Sequence, residues 1–469
     1  MSNDSTARIV DDLRRWISAA APGARLPSSR DLVARYAASP VTVQKALRRL
    51  AAEGLTESRP GVGTFVRAER VVRTVDYGWQ SAALRTPRFT LPRSSQPLLT
   101  APPEAYALHG GYPEPGLLPD RLVRAALGRA ARSAAATARP PTAGLPELRA
   151  WFAAELTALT PAGTAAPGFS DVVITPGSQS ALTSIIRALV PPGGALLIES
   201  PTYWGAIHSA HLAGVRLVPV PGDTDGPDPD ELDRAFRETG ARAFYAQPNY
   251  ANPTGVQWSP ERAREVLDVV RDRGAFLIED DWAHDLAITT VPRPVAVDDH
   301  DGHVVYVRSL TKSMSPAVRV AAVIARGPAR ERILADQAAE SAYVSAILQA
   351  TALDVVSDPG WPTHLRRLRR ALKERRDLLA ASLAEHAPAL DIGTLPPGGI
   401  HLWARLPDGI DVHRLVRDCK AASVYVAAGD EWFAAEPAGP YLRLNFTGPS
   451  PGGFADAATV IGEAVAAQR

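Results

Sequence analysis

A lysine with a serine three positions before it and an arginine seven positions after it is the strongest chemical signal in this sequence. Lys312 lies in the segment 309–316, directly after the apolar run 304–307, and Arg319 follows it. The amine of a lysine condenses with the aldehyde of pyridoxal 5'-phosphate (PLP), and hydroxyl and guanidinium groups hold the phosphate. We therefore predict that Lys312 carries PLP, with Ser309 and Arg319 as further cofactor-binding residues.

Three other segments carry side chains that this cofactor needs. Ser178 and Gln179 follow a predicted strand and open a helix, whose positive end can bind the phosphate. Asn252 lies in a tight turn and can donate to the phenolic oxygen of the cofactor. Asp280 follows the apolar run 276–279 and can pair with the pyridine nitrogen, which makes the ring an electron sink. Each of these motifs alone is more typical of a structural turn or cap.

The role of Asp280 has two alternatives, a helix cap or an exchange of role with its neighbour Asp281. Successive residues of a strand point to opposite faces, so only one of the two can face the cofactor. Because Asp280 comes directly after the apolar run, we predict that it is the partner of the ring nitrogen and is catalytic together with Lys312.

Two further residues have a chemical reason to lie in the same site. Tyr203 can stack on the cofactor ring, and ordinary core packing is the alternative. Arg443 is a charge inside the apolar strand 442–446, and buried arginines usually have an anion partner, so we predict that it binds a ligand carboxylate. Most of these residues fall at the carboxyl ends of predicted strands, where open α/β sheets bind ligands.

The elements that position these residues form an alternating pattern from residue 105 onward. Helical stretches separate most of a set of apolar runs, which predicts a mostly parallel, buried sheet with helices on both sides. The runs are 172–175, 195–199, 215–219, 243–247, 275–279, 304–307 and 320–325. A smaller α+β subdomain is expected over about 330–469.

The N-terminal segment has a different pattern, typical of a winged helix-turn-helix. Helical periodicity predicts a first helix over 4–20, and capping signals predict a second from Ser28 and a third from Ser39. Two short strands, 55–59 and 63–67, flank a Pro-Gly turn.

The third helix leaves one polar face outward, which can contact DNA. Gln reads adenine edges, and Lys and Arg contact guanine or phosphate. Residues 1–70 hold 12 Lys and Arg against 7 Asp and Glu, in a chain whose net charge is +1. A solvated charged face is the alternative for a lone amphipathic helix. The residues of this face are Thr42, Gln44, Lys45, Arg48 and Arg49.

Composition sets the remaining expectations. Along the 469 residues, these patterns predict a DNA-binding domain over 1–68, an extended linker with five prolines over 69–104 and a cofactor-binding domain over 105–469. No apolar stretch is long enough to span a membrane, no signal peptide is expected and the single cysteine fits a reducing cytoplasm. No metal site is predicted.

The segments 26–32, 42–47, 53–55 and 59–66 resemble the GntR-type winged-helix domain. Pro40 departs from the pattern of that family, which usually has an arginine or another polar residue at this position. The resemblance and the outward helix face together give a predicted DNA-binding set of Arg30, Thr42, Gln44, Lys45, Arg49, Arg59, Gly61 and Gly63.

The order Gly-Ser-Gln, Pro-Thr-Tyr, Asn-Pro-Thr-Gly, Glu-Asp-Asp and Ser-x-x-Lys resembles the fold-type I PLP-dependent aminotransferases. A GntR-type domain joined to such a body is similar to the MocR subfamily of transcriptional regulators. This resemblance implies a homodimer that binds a double-stranded DNA operator and senses a small amine or amino acid through its PLP domain.

Two departures from that resemblance bear on turnover. Trp282 stands where the family often has a tyrosine near the phenolic oxygen, and an indole cannot replace a phenol as an acid or base. The segment 139–144 lacks the tyrosine that aminotransferases commonly send into the neighbouring subunit's phosphate site. We therefore expect a cofactor-binding role for Trp282 and weak or absent transaminase turnover.

Three functions are compatible with these features. The first is a PLP-dependent regulator that senses an amine, an amino acid or PLP itself through aldimine chemistry at Lys312. The second is a working aminotransferase with an accessory DNA-binding head. The third, a DNA-binding protein whose body is only a scaffold, is disfavoured by the joint presence of Asn252, Asp280, Lys312 and Arg319.

Overall fold

The computed structural model describes residues 5–67, 78–84, 96–448 and 451–469. It divides the chain into two compact units, residues 1–90 and 91–469, which we call the head and the body. Within the described residues, no helix combines the length and apolar character needed to cross a membrane.

The head consists of three helices followed by a two-stranded antiparallel wing. Helices α1 (Ser5–Ala19), α2 (Ser29–Tyr36) and α3 (Pro40–Ala52) precede strands β1 (Thr56–Arg59) and β2 (Gly63–Val66). The predicted capping box at Ser28 is present, and the Ser39 hydroxyl caps α3 ahead of a proline in its first turn. Residues at helical spacing along α1 and α3 form the core, including Leu13, Val43 and Leu50.

The segment predicted as an extended linker is only partly described. Residues 78–84 form a short helix, α4 (Gly78–Leu84), instead of extended chain. Residues from 96 onward are held by the body, because the Gln96 side chain accepts from the Ala428 amide at 2.8 Å and the His109 ring is 2.9 Å from the Leu99 carbonyl. The rest of the predicted linker lies outside the described residues.

A seven-stranded sheet forms the centre of the body, and all seven predicted runs contribute to it. The strand order is β4-β12-β11-β10-β9-β5-β6, with β12 antiparallel to both neighbours and the other pairs parallel. Consecutive residues of a strand, such as Leu277 and Ile278, belong to different hydrophobic clusters. Both faces of the sheet are therefore buried, as a parallel sheet requires. The strands are β4 (Val172–Thr175), β5 (Ala195–Glu199), β6 (Arg216–Val220), β9 (Ala243–Ala246), β10 (Phe276–Asp281), β11 (Val304–Ser309) and β12 (Ala321–Ile324).

Helices cover the sheet and lead into the smaller C-terminal part. The body helices are α5 (Asp120–Arg132), α6 (Pro146–Leu159), α7 (Ser178–Leu189), α8 (Trp204–Leu212), α9 (Pro229–Thr239), α10 (Pro260–Asp272), α11 (Gly327–Ser341), α12 (Ala346–Ser357), α13 (Gly360–His386), α14 (Val412–Ala421) and α15 (Phe454–Ala466). Two short strands, β7 (Gly222–Asp223) and β8 (Gly226–Pro227), form a hairpin.

The C-terminal part has the α+β character predicted for about 330–469, but residues from Val344 to Trp361 pack in the cluster beside the large sheet. Its antiparallel sheet has the order β13-β16-β15, from β13 (His401–Arg405), β15 (Ala427–Ala428) and β16 (Tyr441–Asn445). A separate parallel pair joins β14 (Val424–Tyr425) to β3 (Tyr106–Ala107). The core of this part, which includes Leu402, Leu444 and Ile461, is distinct from the clusters beside the large sheet.

Candidate cofactor cavity and nucleic-acid interface

One cavity of about 230 Å³ in the body brings together every body residue that the sequence predicts for the site. It lies where β10 and β11 end and α7 begins. The predicted residues that line it are Ser178, Gln179, Tyr203, Asn252, Asp280, Trp282, Ser309, Lys312, Arg319 and Arg443. Segments more than 250 residues apart in sequence therefore converge on one space, as expected at the carboxyl edge of a parallel sheet.

The N-terminal end of α7 and the Arg319 side chain lie together at this cavity. Gly177 has φ +94°, and a β-carbon added there would lie 2.6 Å from Arg319 Nη2. Only glycine allows the guanidinium to approach the helix N-terminus this closely. Arg319 has no hydrogen-bond or ion-pair partner in the part of the chain that the structure describes. A free cation beside the positive end of a helix is a fitting site for a phosphate dianion.

Asp280 and Asp281 lie inside β10 and not after it, because β11 continues alongside both of them. Asp280 accepts from the Tyr245 hydroxyl at 2.9 Å and from Gln247 Nε2 at 2.8 Å, while its Oδ1 is buried without a partner among the described residues. Burial raises the pKa of Asp280 to about 6, against the opposing hydrogen bonds of Gln247 and Tyr245. An unpaired buried carboxylate oxygen fits a ligand N–H such as a protonated pyridine.

Asp281 has a different environment from its neighbour. It accepts from the Tyr306 hydroxyl at 2.7 Å and lies 2.6 Å from the His284 ring, and it is not among the residues that line the cavity. The alternation of side chains along a strand gives the two aspartates opposite faces. This geometry supports the prediction for Asp280.

The Lys312 side chain lines the cavity, and its amine contacts one backbone carbonyl and one aromatic ring. Its Nζ donates to the Gly111 carbonyl at 2.6 Å and lies 3.3 Å from the centre of the Tyr112 ring. Burial, followed by the cations Arg443 and Arg319, lowers the pKa of Lys312 well below its ordinary value, and Asp280 opposes this shift. A neutral amine is the nucleophilic form that condensation with an aldehyde needs.

Arg443 is almost fully buried and has no carboxylate partner among its hydrogen bonds. Its Nη2 donates to the His109 and Gly110 carbonyls at 2.8 and 3.1 Å, and its Nη1 is 3.3 Å from Asn252 Oδ1. Its Nε is buried and unpartnered within the described chain. Since a buried guanidinium is stabilised by an anion, this environment fits a ligand carboxylate.

Three of the predicted residues, Trp282, Tyr203 and Gln179, use polar side-chain atoms in hydrogen bonds within the protein. The Trp282 indole N–H donates to the Tyr250 carbonyl at 3.2 Å, so this residue offers the cavity its ring face and not a donor. The Tyr203 hydroxyl donates to Gln179 Oε1 at 2.8 Å, and burial raises the pKa of Tyr203. Gln179 in turn donates to the Gly205 carbonyl and the Ser209 hydroxyl.

Sequence reasoning missed several members of this cavity. Thr311 contributes a buried hydroxyl without a partner among the described residues, Gln247 fixes Asp280, and Tyr112 packs on Lys312. Because Thr311 lies between Ser309 and Lys312, its position in the sequence could have predicted that it lines the cavity. Pro97 and Leu98 also line the cavity, and no sequence pattern connects them to it.

In the head, a groove between α3 and the wing contains four of the eight residues of the predicted DNA-binding set, together with Arg48 of the outward helix face. Gln44, Arg48, Arg59, Gly61 and Gly63 line this groove. Arg30 and Lys45 are exposed beside it. Arg25 was missed, and its side chain packs so closely on Gly63 that an added β-carbon would lie 2.8 Å from its Nε.

Three of the predicted DNA contacts are engaged within the head. Arg49 Nε is 3.3 Å from Glu53, Arg59 Nε is 3.4 Å from Glu57, and the Thr42 hydroxyl is 2.9 Å from that of Ser39. Both ion pairs are solvent-exposed and weak, so a phosphate can displace them.

Comparison with known proteins gives one family match in the head and one in the body. Residues 111–461 match the family of aminotransferases of class I and II, and residues 5–66 match the bacterial regulatory proteins of the gntR family. The chain belongs to the aminotransferase class I and II family. The prediction of a GntR-type DNA-binding domain joined to a fold-type I body, as in the MocR subfamily, is confirmed.

Relatives of this aminotransferase-family chain include both enzymes and regulators. It is 29% identical to a 2-aminoadipate transaminase from Thermus thermophilus over 78% of this chain and 91% of that protein. It is 28% identical to a probable rhizopine catabolism regulatory protein, MocR, from Rhizobium meliloti, over 91% of this chain and 86% of the relative. The crystal structure of an α-aminoadipate aminotransferase from Thermus thermophilus, complexed with N-(5'-phosphopyridoxyl)-L-leucine, has a TM-score of 0.71 and 27% identity, covering 78% of this chain and 92% of that one.

The cofactor of the body is PLP, and the cavity fits it. The unpartnered Arg319 and the α7 N-terminus suit the phosphate, and the orphaned Asp280 oxygen suits the ring nitrogen. When bound, PLP would supply an aldehyde with which a lysine or a ligand amine can condense, together with a ring that accepts electron density.

Proposed function

We propose that this protein is a PLP-dependent transcriptional regulator. The head binds a double-stranded DNA operator, and the body senses an amine, an amino acid or PLP itself at Lys312. The observation that carries this proposal is the presence, in one chain, of an exposed basic groove and a cavity with unpartnered buried charges. The regulators among the relatives, which cover about nine-tenths of this chain, support the same function.

In this proposal, each of the cavity residues has a separate role in binding the cofactor or the ligand. Arg319 and the α7 N-terminus bind the phosphate, Asp280 holds the ring nitrogen, and Arg443 orients a carboxylate. Burial lowers the pKa of the Lys312 amine, which favours the uncharged, nucleophilic form. We further propose that the protein acts in the cytoplasm as a homodimer, which would allow two heads to contact one operator.

An active aminotransferase with an accessory head is the second candidate. The complete set around Lys312 and the 2-aminoadipate transaminase relative favour it. Trp282 argues for slow turnover, since its only N–H is already donated to the Tyr250 carbonyl and its ring cannot exchange protons.

A single set of measurements separates the two candidates. Duplexes that bind the full-length holoprotein are first selected from a random pool, and operator affinity is then measured with PLP alone and with added amino acids. Keto-acid formation is followed in parallel. A several-fold change in operator affinity without rapid turnover supports the regulator, as typical coupling is ~1–3 kcal/mol. Rapid keto-acid formation without any change in operator affinity would favour the aminotransferase.

A further inference from the structure

The charges of the cofactor cavity are few, and each has a specific use. Only four charged side chains line the cavity within the described residues: Asp280, Lys312, Arg319 and Arg443. In the proposed function, Asp280, Lys312 and Arg319 interact with the cofactor. Arg443 binds the carboxylate of an amino acid. His401 also lines the cavity, but burial and the neighbouring Arg443 lower its pKa well below the ordinary value, so it is neutral. A ligand with a second carboxylate or a second ammonium group would therefore meet no opposite charge among the described residues of this chain that line the cavity.

Part of the cavity wall is apolar. Trp204 and Trp282 contribute to it together with Pro97 and Leu98, from the segment that precedes the body sheet. Leu98 is 58% exposed, and it is one of few large apolar side chains with such exposure in the body. Contact with an apolar ligand group would remove this surface from water, at about 25 cal/mol per Å².

The position of Leu98 is fixed on both sides. Before it, the Gln96 amide donates to Glu431 at 3.3 Å, and the Gln96 side chain accepts from the Ala428 amide at 2.8 Å. After it, the Leu99 carbonyl is bonded to the His109 ring. Leu98 is thus held beside the cavity by hydrogen bonds that do not involve its own side chain, which leaves that side chain available to a ligand.

We infer that the ligand of this cavity is an α-amino acid with one carboxylate and an uncharged, apolar side chain, and that Leu98 contacts this side chain. The inference rests on the proposed sensing function and names its ligand class. Its physical basis is that burying a second charge without a partner is costly, whereas burying an apolar group against Leu98 is favourable. In chain order, Leu98 belongs to the stretch that leads from the head to the body, so the ligand would contact that stretch directly.

The experiment titrates the PLP-bound full-length protein with L-leucine, L-glutamate and L-lysine, and follows the visible absorbance of the cofactor. This readout reports binding at the cavity and needs no DNA. The variants are Leu98→Ser, Leu98→Lys and the matched control Leu99→Ser, whose side chain does not line the cavity. Thermal unfolding verifies that each variant is folded.

We expect L-leucine to bind at least tenfold more tightly than L-glutamate or L-lysine. Leu98→Ser should weaken L-leucine about five- to tenfold, while Leu99→Ser leaves it unchanged. Leu98→Lys should shift the preference towards L-glutamate, because it supplies the missing positive charge. Tighter binding of L-glutamate or L-lysine by the unmodified protein, or equal effects of the two serine variants, would overturn the inference. Either result leaves the regulator proposal intact, since that depends on operator affinity.

Discussion

The wing groove of the head and the cofactor cavity of the body both contain several cationic side chains, but water reaches them to different extents. Arg48 and Lys45 of the head are exposed, and Arg49 and Arg59 form weak surface ion pairs. Arg443 in the body is almost completely buried, and its hydrogen bonds to described residues go to two backbone carbonyls and an amide oxygen. Exposed cations contribute a diffuse, salt-dependent attraction, whereas a buried cation requires one anion in one place.

This difference indicates how each site obtains specificity. In the head, selectivity must come from side chains that read base edges, such as Gln44, because the charges bind any phosphate. In the body, we expect the buried charges themselves to select, since each can be satisfied only by an oppositely charged or hydrogen-bonding group of the cofactor or ligand at one position. The predictions below test this contrast, beginning with the largest effect.

Replacement of Lys312 should have the largest effect on the body. Lys312→Ala removes the only amine in the cavity among the described residues, so the covalent attachment of PLP and its visible absorbance band should be lost. Borohydride reduction followed by peptide mapping should place the pyridoxyl adduct of the unmodified protein on Lys312. Lys373→Ala, at an exposed position on α13, is the control and should keep the band. An adduct on another lysine would contradict the assignment.

Removal of Asp280 should weaken PLP binding by about 1.5–3 kcal/mol, roughly 10- to 150-fold, because a charge-assisted hydrogen bond to the ring nitrogen is lost. Equilibrium dialysis of Asp280→Ala with PLP measures this effect. Asp281→Ala is the matched control, and it should lower thermal stability instead, since Tyr306 and His284 lose their partner. A larger loss of PLP affinity in Asp281→Ala would show that the two roles are reversed.

Substitutions in the head should separate base reading from phosphate binding. Gln44→Ala should reduce discrimination at one base pair by about 1–3 kcal/mol. Arg48→Ala should weaken binding to all duplexes alike and lower the salt dependence of log affinity by about 0.9. Fluorescence anisotropy across a salt series measures both effects, with Arg15→Ala on α1 as a control outside the groove. A sequence-dependent loss in Arg48→Ala would contradict the contrast between the two sites.

The pH dependence of PLP affinity should be the smallest effect. The pKa of Asp280 is raised to about 6, and its ionised form is the one that pairs with a protonated ring nitrogen. Affinity should therefore rise as pH increases through 6, by about fourfold between pH 5.5 and 7.5 for this group. In Asp280→Asn this contribution should disappear, and a profile unchanged by that substitution would assign the titration to another group.

The raised pKa also has a consequence for stability. Unfolded Asp280 loses its proton near its ordinary pKa of 3.8, whereas the folded protein without cofactor keeps the proton up to about pH 6. The contribution of this group to the free energy of unfolding therefore falls as pH rises between those values. Bound PLP should oppose this loss, and thermal unfolding with and without PLP at pH 4 and pH 6 can measure it.

Much of this molecule could be predicted from its sequence. The seven buried strands, the three helices of the head and the ten predicted residues of the cavity follow from local signals: apolar runs, capping residues and strand-end polar groups. Such signals act over a few residues, and the chain follows them here because local preference and global packing agree.

The tertiary structure alone decided which distant groups meet. The donation of the Trp282 N–H to the Tyr250 carbonyl and the placement of Leu98 in the cavity wall depend on contacts that spacing does not encode. The order of the seven strands and the antiparallel direction of β12 are of the same kind. Hydrogen-bond partners and cavity walls are set by how whole elements pack in three dimensions, and a one-dimensional pattern specifies only the face that each element must bury.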